Sequence, residues 1–455
     1  MGTVASAAEM MRGRLLSGSP EKRWSGAALD SRRVRGGELF FALPGEHSDG
    51  HLYVPDALSR GASAAVVDRD VVLPEGALIQ VPDVYAALHR LTAMLRERAP
   101  RHLVAVTGSV GKTTTKELLA DMLAERFRVA RSPGNLNNLY GFPLALLGIP
   151  DDTEWMVAEM GMSTPGELAG VSRLGRPDVA LFTNVRPVHL ESLGDLRAVA
   201  AAKAELLEGL APDGTVVANA DDPEVRWIAA RHDGPVVWFS RRGAAESFVD
   251  RVEILPGAGT RFAWTVDGRT RDVELALHGG YNVWNFLAAA TCAHALGVPA
   301  QAIVEVAARA RPAGGRGVVL RLPDGATLVD DSYNSNPAAL AEALESAAAL
   351  PGRRRWAVLG DMLELGEESE RFHSEAGAAA ARLGFSPLLG VGEASRALVA
   401  AASEAGAAAS WYPDAAAALA ALPAPAATDV ILVKGSRGVA LERVVAEIRK
   451  RGGEA

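Results

Sequence analysis

The 455-residue sequence has a single cysteine, Cys292, so no disulfide can form within the chain. One cysteine is also too few for a multi-cysteine metal site, which excludes a disulfide-stapled secreted protein and favours a reducing compartment. No apolar run approaches the roughly 18 residues that span a bilayer, and the N-terminal segment lacks a basic region followed by an apolar one. We therefore expect a cytoplasmic protein without a membrane partner.

The chain also lacks an excess of positive charge, because 47 Lys and Arg residues face 55 Asp and Glu residues and leave a net charge of −8. This balance argues against a general nucleic-acid-binding surface, so no nucleic-acid partner is expected. Hydrophobic residues make up 49% and charged residues 22%, close to globular averages. At roughly 150 residues per domain, the length predicts about three folded domains.

The order of apolar and polar segments divides the chain into three predicted α/β domains. Residues 1–100 have short apolar stretches between turns and end near Ala99-Pro100. Residues 101–313 alternate apolar strands with helices, which predicts a parallel sheet, and then turn to hairpin strands around Asp267-Gly268. After a Pro/Gly-rich linker at 311–317, residues 314–455 predict a second doubly wound domain. The alanine-rich residues 400–427 are expected to form a surface helix.

The segment TGSVGKTTTK, residues 107–116, lies where an apolar strand should meet a helix. Glycines let backbone amides close around phosphate oxygens, Lys112 supplies a cation, and the Thr113 hydroxyl can bind Mg²⁺. The first glycine of the usual phosphate loop is replaced by Val106. The strand-loop-helix context nevertheless predicts an ATP site.

Three further residues follow the next predicted strands. Glu159 ends the strand at 155–160, at the edge where open α/β sheets bind ligands, and a carboxylate there can hold Mg²⁺. His189 follows another strand, and Lys203 lies on the helix after it. Taken singly, Glu159 is equally consistent with a solvated strand end, and the other two with structural residues.

These segments and the following ones resemble the motifs of the Mur ligases, and they occur in the same order along the chain. The quoted segments are TGSVGKTTTK, GNLNNLYGFP at 134–143, EMGMSTPGE at 159–167, TNV with His189, AAKAEL around Lys203, DDSYNSNP at 330–337, LGDMLELGEES at 359–369 and VKGSR at 433–437. Residues 30–51, DSRRVRGGELFFALPGEHSDGH, resemble the family's UDP-sugar-binding domain. The resemblance covers essentially the whole chain. It implies a small UDP-sugar-binding α/β domain, a central P-loop ATPase domain with an antiparallel β portion, and a Rossmann-like C-terminal domain.

The segments VKGSR and DDSYNSNP most resemble the family members that join D-alanyl-D-alanine to UDP-N-acetylmuramoyl-tripeptide during peptidoglycan precursor synthesis. In such a ligase, ATP phosphorylates the tripeptide carboxylate, and the dipeptide amine then displaces phosphate from the acyl phosphate. The resemblance implies these two substrates as partners, and ATP with two Mg²⁺ ions as cofactors. The molecule is expected to be a monomer.

The resemblance also implies roles for individual residues. Thr113 and Glu159 would hold the first Mg²⁺, while Glu159, His189 and a carbamylated Lys203 would hold the second; an unmodified ammonium cannot bind a metal. We expect Lys203 on the surface of its helix. The implied catalytic residues are Lys112, Glu159, His189, Lys203 and Arg316. The implied nucleotide contacts are Thr107, Gly108, Ser109, Gly111, Lys112, Thr113, Thr114, Asn282, Asn285, Arg316 and Asp331. The implied substrate contacts are Ser31, Arg32, Asn135, Asn138, Asn334, Lys434, Ser436 and Arg437.

The sequence departs from the family at Tyr281, where the motif Gly-x-His-Asn-x-x-Asn has histidine, and this leaves the role of position 281 open. His278 is expected to be only a strand-end residue. One alternative is the ligase that adds the third amino acid, although its usual Asp-Asn-Pro-Arg motif is missing. Folylpolyglutamate synthetase and a non-catalytic nucleotide-binding homologue are the others. The sequence leaves open whether the tripeptide carries L-lysine or meso-diaminopimelate.

Overall fold

The computed structural model describes residues 2–45, 48–72, 75–98, 101–243, 245–255 and 259–454. Its strands form three sheets, of five, nine and six strands, and helices cover them. This architecture confirms the predicted α/β fold class with three sheet-containing parts. The predicted boundary at residues 99–100 lies outside the described residues, and the domain boundaries stay predictions.

The N-terminal sheet has the order β1-β5-β4-β3-β2, and its strands are parallel except for the antiparallel pair β1 and β5. Strands β3 and β4 are buried along their whole length, which explains their continuous apolar sequences. The strands are β1 (Arg14–Ser17), β2 (Ala27–Ala28), β3 (Leu39–Phe41), β4 (Ala64–Val67) and β5 (Leu78–Gln80), and the helices are α1 (Val4–Met10), α2 (Val54–Ser59) and α3 (Val84–Arg98).

The central sheet has the order β14-β13-β12-β11-β10-β9-β6-β8-β7. Its strands are β6 (His102–Thr107), β7 (Val129–Arg131), β8 (Trp155–Glu159), β9 (Val179–Phe182), β10 (Thr215–Asn219), β11 (Val236–Ser240), β12 (Ser247–Leu255), β13 (Gly259–Val266) and β14 (Arg269–Leu275). Its helices are α4 (Lys112–Leu123), α5 (Gly141–Leu147), α6 (Glu167–Gly175), α7 (Leu190–Leu193), α8 (Leu196–Ala204), α9 (Pro223–Ala229), α10 (Tyr281–Ala295) and α11 (Ala300–Ala308).

Both faces of the central sheet are buried. In β6, Val104 and Val106 pack into the core beneath α4 and α10, while Leu103 and Ala105 pack into the core on the opposite face. Strand β13 pairs antiparallel with β12 on one side and with β14 on the other. Strands β11 and β12 instead continue the parallel ladder from β10. The predicted antiparallel portion is therefore shorter than the sequence suggested, although its hairpin turn lies at Asp267-Gly268, with φ of 49° and 67°.

The C-terminal sheet has the order β15-β16-β20-β17-β18-β19, parallel except for β15. Its strands are β15 (Val318–Arg321), β16 (Thr327–Asp331), β17 (Arg354–Gly360), β18 (Phe385–Val391), β19 (Ala409–Tyr412) and β20 (Asp429–Lys434). Its helices are α12 (Pro337–Ala348), α13 (Ser369–Arg382), α14 (Ser395–Glu404), α15 (Ala415–Ala421) and α16 (Glu442–Arg451).

The alanine-rich stretch at 400–427 is not one surface helix, so that prediction was wrong. It holds the end of α14, the edge strand β19 and the short helix α15. Gly406, with φ of 91°, ends the first helix, and Asp414 caps the next by accepting the Ala417 N–H. The small side chains of Ala415 and Ala418 are buried in the core. Among the described residues, no helix has both the length and the apolar character needed to cross a membrane.

Candidate active site

A cavity of about 500 Å³ lies between the central and C-terminal sheets, at the carboxyl ends of strands from both. Its walls bring together most of the predicted site residues, although these come from distant parts of the chain. The predicted residues that line it are Ser109, Gly111, Lys112, Thr113, Thr114, Asn135, Asn138, Glu159, His189, Lys203, Asn285, Arg316, Asp331, Asn334, Lys434, Ser436 and Arg437.

The predicted phosphate loop connects β6 to α4 by a tightly turned backbone. Gly111 precedes α4 with φ of 86°, and a side chain there would overlap Asn285. The loop is braced by Asn184, which follows β9: its Oδ1 accepts the Val110 N–H at 3.0 Å, and its backbone oxygen accepts the Ser109 N–H at 2.9 Å. The loop therefore leads into a helix N-terminus, where backbone N–H groups favour an anion.

Lys112 lies folded over this loop. Its Nζ donates to the backbone oxygens of Gly108 at 2.7 Å and Ser109 at 3.3 Å. Burial lowers the pKa of Lys112, and the nearby Glu159 carboxylate opposes that effect. The amine is thus held at the mouth of the loop, where Glu159 offsets only part of the effect of burial and a bound anion would favour the charged form further.

Thr113 and Glu159 meet at the floor of the cavity. The Thr113 hydroxyl donates to Glu159 Oε2 at 2.6 Å, and Asn137 Nδ2 donates to Glu159 Oε1 at 2.9 Å. Thr113 and Glu159 are both buried. Asn137, which sequence reasoning passed over although it lies in the quoted segment GNLNNLYGFP, thereby orients the carboxylate.

Lys203 is only 3% exposed, so the expectation of a surface lysine was wrong. It lies at the C-terminal end of α8 and points into the cavity rather than to solvent. Burial lowers the pKa of its ammonium well below the usual range, and the positive charge of Lys112 lowers it further. This environment disfavours the charged ammonium and favours the uncharged amine.

His189 joins the central part of the chain to the C-terminal part. Its Nδ1 pairs with Glu364, and this contact lowers the pKa of the Glu364 carboxyl. The backbone adds a second link, because the Glu191 N–H donates to the Glu364 oxygen at 3.4 Å. Glu364 lies in the quoted segment LGDMLELGEES, but nothing in its local sequence singled it out.

The C-terminal wall contains a buried ion pair. Lys434 Nζ lies 2.5 Å from Asp331 Oδ2 and donates to the Asn334 backbone oxygen at 2.9 Å. Burial raises the pKa of Asp331, and Lys434 opposes that effect. Two residues that were assigned to different ligands therefore neutralise each other while both face the cavity.

Five predicted residues lie outside the lining of the cavity. Ser31 is buried in the N-terminal part, and the exposed Arg32 pairs with Asp30 at 2.8 Å. Asn282 accepts from Asn285 Nδ2 at 2.9 Å and so supports a lining residue from behind. The other two residues behind the lining are Thr107 and Gly108.

Tyr281 lines the cavity from the first turn of α10 and is packed against the linker at 311–317, which we call the hinge between the central and C-terminal parts. A side chain at Gly317 would overlap its hydroxyl, and burial raises the pKa of that phenol. His278, which was expected to be only a strand-end residue, also contacts the C-terminal part: its Nε2 lies 2.9 Å from the Ser346 backbone oxygen.

Comparisons with known proteins agree along the chain. Family models match residues 24–104 (Mur ligase family, catalytic domain), 106–293 (Mur ligase middle domain) and 315–437 (Mur ligase, glutamate ligase domain). The UDP-N-acetylmuramoyl-tripeptide–D-alanyl-D-alanine ligase of Escherichia coli K12 is 36% identical over 429 residues, 93% of each chain. The protein of the same name from Bacillus subtilis 168 is 33% identical over 380 residues, 83% of this chain and 82% of its own.

Solved structures give the same result. A crystal structure of MurF from Acinetobacter baumannii superposes with a TM-score of 0.87 at 29% identity and covers 99% of both chains. MurF ligase from Thermotoga maritima in complex with ADP has a TM-score of 0.80 at 28% identity, covering 95% of this chain and 98% of its own.

Proposed function

The chain belongs to the Mur ligase family, and from that membership we propose that it joins D-alanyl-D-alanine to UDP-N-acetylmuramoyl-tripeptide at the expense of ATP. The observation that carries the proposal is one cavity with a phosphate loop on one wall and the segments DDSYNSNP and VKGSR on the facing wall. An ATP-dependent amide ligation requires a nucleotide and two further substrates to meet, and this cavity brings the segments that we assign to them onto facing walls.

The reaction divides into two displacements. A carboxylate oxygen of the tripeptide attacks the γ-phosphorus of ATP, which forms an acyl phosphate and releases ADP. The amine of the dipeptide then attacks the acyl carbon, loses a proton, and expels inorganic phosphate as the amide bond forms. Negative charge gathers near the transferred phosphoryl group, where we assign Lys112 and Arg316 to stabilise it.

The donor atoms that line the cavity are of the kind that binds one divalent cation. The Thr113 hydroxyl and the Glu159 carboxylate are hard oxygen donors that already lie 2.6 Å apart and face the cavity. A bound Mg²⁺ would supply positive charge that offsets the charge of the triphosphate. For a second ion, no group of three His, Cys, Asp or Glu side chains assembles within the part of the chain that the structure describes. Glu159 and His189 therefore need another anion beside them.

We assign that anion to Lys203 after its reaction with CO₂. The uncharged amine attacks the carbon of CO₂ and loses a proton, which leaves a carbamate with a negative charge. Burial and the neighbouring Lys112 favour the uncharged amine that this step needs. They also disfavour an unmodified ammonium, so the carbamate replaces a repelled cation with a cation-binding anion.

We assign the peptide substrates to the remaining walls of the cavity. Asn135 and Asn138 lie on the loop before α5, and Asn334, Lys434, Ser436 and Arg437 lie on the C-terminal side. Ser31 and Arg32 lie away from the cavity, in the N-terminal part that we assign to the UDP moiety. A nucleotide-linked tripeptide is extended, which suits a binding surface that spans more than one domain.

The alternative functions fit less well. The Escherichia coli and Bacillus subtilis relatives are named as the ligase that adds D-alanyl-D-alanine, not as the ligase that adds the third amino acid. Lys112, Glu159, His189 and Lys203 face one cavity, which a non-catalytic homologue would have no reason to keep. The cytoplasmic location and the monomeric state stay predictions.

Phosphate release tests the proposal. Release should require ATP, UDP-N-acetylmuramoyl-tripeptide and D-alanyl-D-alanine together, and mass spectrometry should find the product larger than the tripeptide by the dipeptide minus one water. The L-lysine and meso-diaminopimelate forms of the tripeptide are assayed in parallel. Release with the UDP-linked dipeptide and a free diamino acid, but not with D-alanyl-D-alanine, would replace the proposal with the third-residue ligase.

A further inference from the structure

One aromatic ring in the cavity contacts two arginines that were predicted to bind different ligands. The guanidinium carbon of Arg316 lies 4.2 Å from the centre of the Tyr333 ring, and that of Arg437 lies 5.5 Å from it. All three residues line the cavity. Both distances are within the ~6 Å over which a cation is attracted to an aromatic ring.

The position of this ring is fixed by the hinge between the central and C-terminal parts. The Tyr333 N–H donates to the Gly315 oxygen at 3.0 Å. Gly315 has φ of 67°, and a side chain there would lie 3.2 Å from Tyr333 Cβ. The close approach therefore places Tyr333 directly against the residue before Arg316.

The two arginines differ in their other contacts. Arg437 Nη1 lies 3.5 Å from Glu442 Oε1 and its side chain is 62% exposed. Among the residues that the structure describes, Arg316 has no carboxylate within ion-pair distance, although its charge helps to oppose the burial that raises the pKa of Asp331. The ring of Tyr333 is in direct contact with its guanidinium. A planar guanidinium on a flexible stem gains a preferred orientation when it stacks on a ring.

We infer that Tyr333 is a positioning residue that holds Arg316 and Arg437 against one ring and so couples the nucleotide site to the peptide-substrate site. The inference rests on the proposed function, in which Arg316 binds the transferred phosphoryl group and Arg437 binds a substrate carboxylate. Tyr333 itself takes no part in the chemistry, because it acts through the two guanidinium groups.

Steady-state kinetics of Tyr333→Leu and Tyr333→Phe test the inference. Leucine removes the ring face, so the KM for ATP and the KM for one peptide substrate should each rise roughly three- to tenfold. Phenylalanine keeps the ring and should stay within about twofold of the wild type. Phe372→Leu is the matched control, because it removes a similar pair with Arg371 at 4.1 Å outside the cavity, and it should leave both constants unchanged.

The affinity of a non-hydrolysable ATP analogue, measured by calorimetry, separates this inference from the proposed function because it needs no turnover. Tyr333→Leu and Arg316→Ala should each weaken the analogue, and the double variant should lose less than the product of the two effects. The inference is overturned if Tyr333→Leu leaves all KM values and the analogue affinity unchanged. It is equally overturned if phenylalanine impairs them as much as leucine, or if only the melting temperature falls.

Discussion

At the scale of single residues, burial of charged groups is central to the chemistry that we propose for this cavity, and Lys203 is the clearest case. Carbamate formation needs the uncharged amine, whose fraction rises as the pH rises through the amine pKa. Because burial lowers that pKa, Lys203 meets this condition at a lower pH than an exposed lysine does. Activity that depends on added bicarbonate should therefore appear at a lower pH than the ordinary pKa of a lysine would allow.

Lys203→Ala should lose activity by about 100-fold or more, because it removes the proposed anion, and it should keep its fold, because burial of this amine is unfavourable. Acetate or formate should restore part of the rate by supplying an anion, whereas Lys203→Glu should restore less because its shorter chain misplaces the charge. Arg197→Ala, on the exposed face of the same helix, is the control for activity. Normal turnover of Lys203→Ala without added anion would contradict the carbamate.

Lys112 provides a second test at this scale. Lys112→Ala should lower kcat by about 100-fold or more, the usual effect of losing one electrostatic stabiliser of a developing charge. Lys450→Ala, at an exposed position of α16, should leave kcat unchanged. Phosphate release under saturating substrates measures both, and an unaffected Lys112→Ala enzyme would remove the phosphate loop from the mechanism.

Residues within one motif were more predictable than residues that meet across the fold. Lys112 and Thr113 follow from a loop whose chemistry is local, and Glu159 from its place at a strand end. Glu364 was missed because its partner His189 is 175 positions away, and only the arrangement of the two sheets brings them together. The burial of Lys203 was missed for the same reason: its short alanine-rich helix has no pattern that shows which face is covered.

At the scale of elements, the hinge is defined by two glycines with left-handed backbone and by the side chains against them. Gly317→Ala should lower the melting temperature and kcat, because φ of 67° strains alanine and the new methyl group overlaps the Tyr281 hydroxyl. Tyr281→Phe should cost little alone but recover part of the loss in the double variant. Gly314→Ala is the control in the same hinge, since its added methyl group meets no atom within 4 Å. Equal effects at both glycines would contradict this account.

Strand β20 depends on a carboxylate at its first residue. The buried Asp429 accepts from Arg354 Nε at 2.9 Å and Trp356 Nε1 at 3.1 Å. Burial raises its pKa, but these hydrogen bonds outweigh burial and lower the pKa overall. Asp429→Asn should cost about 1–3 kcal/mol of stability at neutral pH.

The pH dependence of that loss follows from the sign of the shift. A carboxyl with a lowered folded-state pKa stabilises the fold above its unfolded pKa of about 3.9, and the contribution disappears as the pH falls through the folded value. The melting temperatures of the wild type and Asp429→Asn should therefore converge as the pH falls below about 4. The control Glu404→Gln, at an exposed position, should have nearly the same melting temperature as the wild type at every pH. If the melting temperatures of the wild type and Asp429→Asn differ by the same amount at every pH, the charge of Asp429 contributes nothing to stability.

Most elements were predictable from hydrophobic patterns, because fully buried parallel strands such as β4 and β6 have continuous apolar sequences. The exceptions have physical causes. Strand β11 was grouped with the hairpins because strand direction is set by pairing partners, not by composition. Strand β19 was hidden in an alanine-rich stretch, where the composition favours helix and pairing with β18 decides otherwise.

For the whole molecule, we expect turnover to require the central and C-terminal parts to separate around the cavity between them. Substrates as large as a UDP-linked tripeptide must enter between walls that His189 and Glu364 join. We expect the unliganded chain to sample an open form, and its radius of gyration to fall when an ATP analogue and the UDP-tripeptide bind together. A radius that neither ligand changes would count against closure.

A disulfide across the same contact tests this motion directly. A Cβ built at Gly366 lies 3.8 Å from Glu191 Cβ, about the separation found in disulfides. The only native cysteine, Cys292, is buried and its thiol pKa is raised, so it should not compete. Glu191→Cys with Gly366→Cys should therefore cross-link on oxidation, although φ of 57° strains the second cysteine.

Phosphate release by the cross-linked protein should fall roughly tenfold or more if product cannot leave a locked cavity, and dithiothreitol should restore it. The Glu191→Cys single variant should respond to neither treatment. If the cross-linked protein turns over as fast as its reduced form, the two parts need not separate during the cycle.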